Sequence, residues 1–290
     1  MIMAGFTYNG HSTETILNTP LILVSSETPG SAIGAQRSKV EGEITISRPI
    51  TNEYGVTGEP LSFTYSLMKK DFEIFSEEEQ ITIERWLTSP KLSSELLITD
   101  CNGDSYSYFG LFTSTEWIRG NGGYMLCTFT FQVNGRHAFK RYTEVGSAAT
   151  YNNGEIILIN DSFNMDFICY TDELEEYVYP VIKVSGVNRT VTSSFILKNI
   201  TDANRQMQIT VSTFEELIID CQHCIIKKHT VNGPYVVMKY KDLGWNTISG
   251  DGSIYWPRLS AGRNQLLITG NVNVEISYTS PFKKVGGWLI

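Results

Sequence analysis

The sequence predicts a mostly β chain of two domains: an N-terminal β-barrel or sandwich domain carrying one α-helix, then a C-terminal β-sandwich. Three observations predict it. Aromatic residues make up 12% of the chain, with 15 Tyr and 14 Phe, and such residues suit pleated, half-buried surfaces. Short apolar runs recur between turn residues, whereas helical periodicity is clear in only one segment. At 290 residues the chain reaches the length at which single hydrophobic cores stop growing and chains divide.

In chain order, Thr7 to Val24 reads as one or two short strands, clearest at Leu21-Ile22-Leu23-Val24. Ser25 to Lys39 is polar and Gly-rich, too long for a hairpin turn, and reads as a projecting loop or arm. Glu43 to Ser47 alternates with period two and reads as a strand; Thr51 to Pro60 reads as a turn-rich connection; Leu61 to Met68 is again a strand. The helix begins at Ser76, whose pairing with Glu79 is a capping box, and the run Glu77-Glu78-Glu79 suits the positive end of a helix. Ile83, Trp86 and Leu87 give it one apolar face, and Ser89-Pro90 stops it. Strands follow at Glu95 to Asp100, Tyr106 to Thr115 and Tyr124 to Val133, with turns at Asn102-Gly103 and Asn121-Gly122-Gly123.

Lys140 to Asn153 is polar and poor in large aliphatic residues. It is the expected boundary, giving domains over 1–140 and 154–290 with 141–153 as linker. Beyond it, strands are expected at Glu155 to Asn160, Val181 to Ser185, Ser194 to Leu197, Gln206 to Val211, Glu216 to Asp220, Tyr235 to Lys239, Asn264 to Thr269 and Val272 to Tyr278. Many short strands without helices argue for a sandwich.

The net charge is -8. A nucleic-acid binder shows a basic face, but basic pairs such as Lys69-Lys70 and Lys227-Lys228 are scattered, so no sequence-specific nucleic-acid partner is expected. No apolar run approaches a membrane span, and no membrane partner is expected. The opening MIMAGFTYNG has no basic stretch leading into an apolar one, so no secretory leader is expected. Five cysteines, an odd number in a long chain, do not read as a disulfide framework.

Catalytic chemistry finds little support. Cys221-Gln-His-Cys224 with His229 could supply half a zinc site, but a closed site needs four ligands and no second C-x-x-C exists. The acidic run Asp172 to Glu176 reads as a solvated loop, and Gly250-Asp251-Gly252-Ser253 as a hairpin turn. No catalytic residue, metal set or cofactor is expected. Trp245, Tyr255 and Trp256 cluster near the end; exposed, such aromatics stack on sugars, and buried, they are core.

Several segments, in order, carry a family resemblance. They are the opening Phe6-Thr7-Tyr8-Asn9-Gly10, the helix end Arg85-Trp86-Leu87, then Leu96-Leu97-Ile98-Thr99-Asp100. In the second half come Tyr179 to Gly186, Ile196-Leu197-Lys198-Asn199-Ile200-Thr201, Glu216 to Cys221 and Trp256 to Asn264. Together they resemble the distal tail protein family of long-tailed, siphovirus-type bacteriophages, in which the last stretch reads as a loop ending in L-x-x-G-x-N. The resemblance covers nearly the whole chain.

It implies a homo-hexameric ring at the distal tail tip of the virion, made in the host bacterial cytoplasm. The first domain would build the ring, and a galectin-like or carbohydrate-module-like sandwich would sit outside it. The implied partners are the tail tube protein, a tail-tip or tail-associated protein, the tape-measure protein and a receptor-binding protein, with tape measure and DNA passing through the channel. Independently of the resemblance, Arg37, Lys39 and Arg48 against Glu41, Glu43 and Glu53 supply opposite charges for a head-to-tail contact. The alternative is a carbohydrate-binding β-sandwich protein for host-surface adhesion, with Trp245, Tyr255 and Trp256 as the stacking residues.

Overall fold

The structure is a computed structural model. It describes residues 5–25, 37–41, 53–58, 60–99, 103–152, 155–158, 162–187, 192–230, 233–239 and 255–283. The expected strand at Glu43 to Ser47 and turn at Gly250 to Ser253 lie outside these, as does most of the expected Ser25 to Lys39 loop. The chain forms two compact units, residues 1–140 with 282–290, and residues 141–281. No helix among the described residues is long and apolar enough to cross a membrane.

The first unit contains β1 (Phe6–Tyr8), β2 (His11–Ser12), β3 (Leu21–Ser25), β4 (Arg37–Glu41), β5 (Glu53–Gly58), β6 (Ser62–Lys69), α1 (Glu77–Thr88), β7 (Ser94–Thr99), β8 (Ser105–Gly120), β9 (Gly123–Val133) and the start of β10 (Ala138–Ser147). Strand β8 joins its two layers. Ser105 to Gly110 pairs with β7, which leads on to β1 and β2. Gly110 to Gly120 pairs with β9, which leads on to β6 and β3. Gly110 lies at the changeover, where a Cβ would fall 2.1 Å from the Gln132 carbonyl oxygen, so only glycine fits. A register shift between Phe112 and Ser114 marks a bulge just beyond it.

The two layers face each other across an aromatic core. Phe6 meets Phe129 at 5.7 Å, Tyr8 meets Phe131 at 6.0 Å, and Phe63 meets Tyr108 at 5.4 Å between ring centroids. Helix α1 closes this core with Ile83, Trp86 and Leu87, the expected face. The capping box forms: the Glu79 N–H donates to Ser76 Oγ, and the Ser76 N–H donates to Glu79 Oε2 at 2.7 Å. Trp86 stacks on Phe6 at 5.2 Å and donates its indole N–H to the Tyr8 carbonyl at 2.9 Å. A buried Trp thus gains apolar area without orphaning its polar handle.

The second unit holds the end of β10, then β11 (Ala149–Asn152), β12 (Glu155–Leu158), β13 (Ser162–Cys169), β14 (Val181–Gly186), β15 (Thr192–Asn199), β16 (Arg205–Phe214), β17 (Glu216–Asp220), β18 (Ile225–His229), β19 (Val236–Val237), β20 (Gly262–Thr269) and β21 (Val272–Phe282), which ends where the chain returns to the first unit. One sheet runs β19-β18-β17-β14-β21 and the other β13-β20-β15-β16. Their inner faces share a core that includes Ile182, Val184, Phe195, Leu197, Ile219, Leu266, Ile268 and Ile276, a β-sandwich. The mostly β class with one helix is therefore as expected.

Three readings change. Thr51 to Pro60 contains strand β5 rather than turns alone, paired with β4. The polar segment after Lys140 is strand: β10 runs on to Ser147, with Thr143 bonded to Ser277 at 3.2 Å, and β11 follows. Its residues alternate between half-buried and exposed, so no apolar stripe announces it. Strand β13, unexpected, buries Met165, Phe167 and Cys169 alternately while pairing with β20 along its whole length.

Candidate assembly site

Of the six charged residues expected at a ring contact, four fall on one feature. Arg37, Lys39 and Glu41 lie on β4 and Glu53 lies on β5. The register places Arg37 opposite Gly58, Lys39 opposite Val56 and Glu41 opposite Glu53, with a shift between Lys39 and Glu41. Among the described residues this two-stranded ribbon joins no other sheet. Isolated two-stranded ribbons are marginal in water and need a further partner. Glu43 and Arg48 lie outside the described residues.

The aromatic trio divides. Trp245 lies outside the described residues. Tyr255 is 8% exposed within the core of the second unit, so its ring faces protein. Burial first, then the Asp202 carboxylate, raises its pKa. Trp256 is half-buried against the same core. Of the two described residues, neither presents a fully exposed ring.

Instead, Tyr255 and Trp256 begin a loop held by two fully buried asparagines. The Asn264 amide donates to the Ser260 and Gly262 carbonyls at 2.8 and 2.9 Å and accepts from the Ser260 N–H at 3.1 Å. Gly262 between them has φ +87°, a conformation costly for other residues. The Asn199 amide donates to the Arg258 carbonyl at 2.7 Å and accepts from the Asp202 N–H at 3.0 Å. Asp202 takes two hydrogen bonds from the Arg258 guanidinium, at 2.9 and 3.2 Å. That guanidinium lies 3.8 Å from the Tyr177 ring centroid. Burial pushes the Asp202 carboxyl up, but Arg258 and Tyr255 outweigh it and hold it below the usual range. The Leu259-Ser260-Ala261-Gly262-Arg263-Asn264 stretch and the Asn199-Ile200-Thr201 stretch are thus one interlocked structure. The two buried asparagine amides are both paired with loop backbone, which helps an irregular loop to cap an apolar core.

Cys221 is buried, with burial first and Asp220 next raising its pKa. Cys224 occupies the β17–β18 turn at φ 57°, and neither cysteine is in a disulfide. Asp220 accepts from the His223 N–H at 3.0 Å and organises this turn. The acidic run lies in the β13–β14 connection, with Leu174 76% exposed.

Two family models match the chain. A phage tail protein N-terminal domain covers residues 1–135, and a phage tail C-terminal domain covers residues 149–278. No curated protein matches it in sequence. Among solved structures, it is similar to the Dit protein of phage SPP1, described as a paradigm of the hub adsorption apparatus in Gram-positive infecting phages. That likeness has 12% identity and a TM-score of 0.58, covering 97% of this chain and 100% of that one. A chain of the phage P2 baseplate, in its activated conformation with Ca, is similar at 8% identity and a TM-score of 0.53, covering 98% and 99%. The fold and these matches define a structural component of a phage tail. The chain belongs to the phage tail protein family whose N- and C-terminal domains the two models describe, and its fold is that of the Dit hub protein.

Proposed function

We propose that the chain is the subunit of a hexameric ring at the distal tip of a phage tail, joining the tail tube to the tip and receptor-binding apparatus. The observation that carries this reading is the end-to-end likeness of both units, in order, to a hub protein. A tube subunit would need only the first unit. Residues 1–140 with 282–290 form the ring, and residues 141–281 form the outer sandwich. The channel passes tape-measure protein and then DNA, and the acidic net charge disfavours DNA adhering to it. The role is structural and needs no catalytic site or cofactor.

Negative-stain imaging of particles carrying a gold-labelled chain tests this. The label is expected as a ring at the tube's distal end, with six copies by quantitative mass spectrometry. Label along the tube or at the head end would overturn the reading.

A further inference from the structure

In the second unit, Val178 and Leu259 form an isolated antiparallel bridge, with N–H to carbonyl bonds of 2.9 and 2.8 Å in the two directions. Both side chains turn into the core, at 8% and 1% exposure. Successive side chains of an extended chain alternate, so Tyr177 and Tyr179 turn outward on one face, each 42% exposed. Arg258, next to Leu259, joins them. Its guanidinium lies over the Tyr177 ring and donates to both oxygens of Asp202. Asp202 first, then Tyr177 and Tyr179, stabilise its charge.

The backbone beneath this face is fixed. The Asn199 amide holds the Arg258 carbonyl, Asn264 holds Ser260, and the bridge sets the chain under both tyrosines. Two half-exposed rings and a guanidinium–carboxylate pair are thus oriented before any ligand arrives, which spares much of the ordering cost of binding.

Three features select the ligand. The tyrosine hydroxyls both donate and accept, and the partly exposed Arg258–Asp202 pair sets donors beside acceptors without net charge, as vicinal sugar hydroxyls require. Asp172, Glu175 and Glu176, all exposed, precede Tyr177 in the same connection, and their charge disfavours a polyanion. Two rings and one ion pair fall far short of the roughly 800 Å² per partner of a stable protein interface. They suit one or two sugar rings, whose C–H faces pack on an aromatic ring while its polar tip stays wet.

We propose that Tyr177, Tyr179 and Arg258 form a binding site for a neutral polysaccharide, its sugar rings stacked on the tyrosines and its hydroxyls bonded to the tyrosine hydroxyls and the Arg258–Asp202 pair. The site lies within one chain, so it does not rest on the ring. Six copies in a ring would multiply a weak single site into avid attachment.

Saturation-transfer NMR on the full chain tests the site, with neutral oligosaccharides of glucose, galactose and rhamnose as probes and poly(glycerol phosphate) as the polyanion. At least one neutral oligosaccharide is expected to bind and the polyanion to stay free. Tyr177→Ala and Tyr179→Ala should each weaken binding by about five- to tenfold while melting like the parent, since both rings are half-exposed. Tyr177→Phe keeps the ring and should keep most of the affinity. Silence from every neutral probe, preference for the polyanion, or parent-like binding by both alanine variants would overturn the proposal. So would alanine variants that drop out of tails although the parent binds no sugar, which would assign the face to a protein contact. None of these results touches the hub reading, which the labelled particles decide.

Discussion

The two units solve the same problem in opposite ways. Half of the described core residues in the first unit are aromatic, against fewer than a quarter in the second. The first unit bends one strand between two layers and, among the described residues, carries a ribbon that joins no other sheet. The second closes two sheets over an aliphatic core and ties its long loop down with Asn199 and Asn264. The difference separates a unit built on aromatic packing around one bent strand from one built as two sheets over an aliphatic core.

Core truncations should break the comparison most strongly. Phe131, with no exposed surface and rings at Tyr8, Phe63 and Phe112, anchors the first unit. Phe131→Ala is expected to cost about 3–5 kcal/mol of that unit's stability by denaturant titration. The second unit's transition should stay in place. Asn264→Ala is the mirror experiment. It orphans the Ser260 N–H and the carbonyls its amide serves, costing about 2–3 kcal/mol in the second unit alone. A parent-like melt for Asn264→Ala would show that the loop is held by something else.

Smaller effects sharpen the picture at α1. Ser76→Ala removes the N-cap and is expected to cost about 1 kcal/mol in the first unit. Burial pushes the Glu79 carboxyl up, but Lys69 at 2.8 Å and the Ser76 N–H outweigh it and hold its pKa below the ordinary 4.5. A depressed carboxylate adds stability above its unfolded pKa and loses it as pH falls through the folded value. The first unit should therefore weaken as pH drops below 4.5, and Glu79→Gln should flatten that slope. The smallest effect is expected at the cysteine pair. Protein purified without chelators should hold no stoichiometric zinc and form no obligatory disulfide, and Cys224→Ser should change neither; one zinc per chain would contradict this.

How much of this was legible in the sequence follows from where the information sits. The helix could be read in full, because its cap, apolar face and stop signal are local, at Ser76, Glu79, Ile83, Trp86, Leu87 and Pro90. Strands that bury one face, such as β6 and β17, showed their period. Strand β10 did not, because its partners supply what its own half-exposed residues lack. Strand β13 alternates Met165, Phe167 and Cys169 with Asn164, Asp166 and Ile168, a period-two pattern weakened by the apolar Ile168 on its exposed face. The L-x-x-G-x-N pattern was visible as a family mark, but its meaning needed three dimensions, since Asn264 acts on Ser260 and Gly262 while Asn199 reaches the same loop from another strand. For Tyr255 and Trp256 the sequence leaves sugar stacking and core both open, because it shows an aromatic ring but not which way it faces.

The central claim is that the first unit alone builds the ring. Lys140 and Phe282 both approach Tyr106, the Lys140 ammonium 5.6 Å and the Phe282 ring 6.2 Å from its ring centroid, so a short glycine linker can replace residues 141–281. The mass of this form, measured by light scattering together with its tube and tip partners, decides the matter. A closed assembly of six subunits is the predicted result; a first unit that stays monomeric with those partners present would contradict the account.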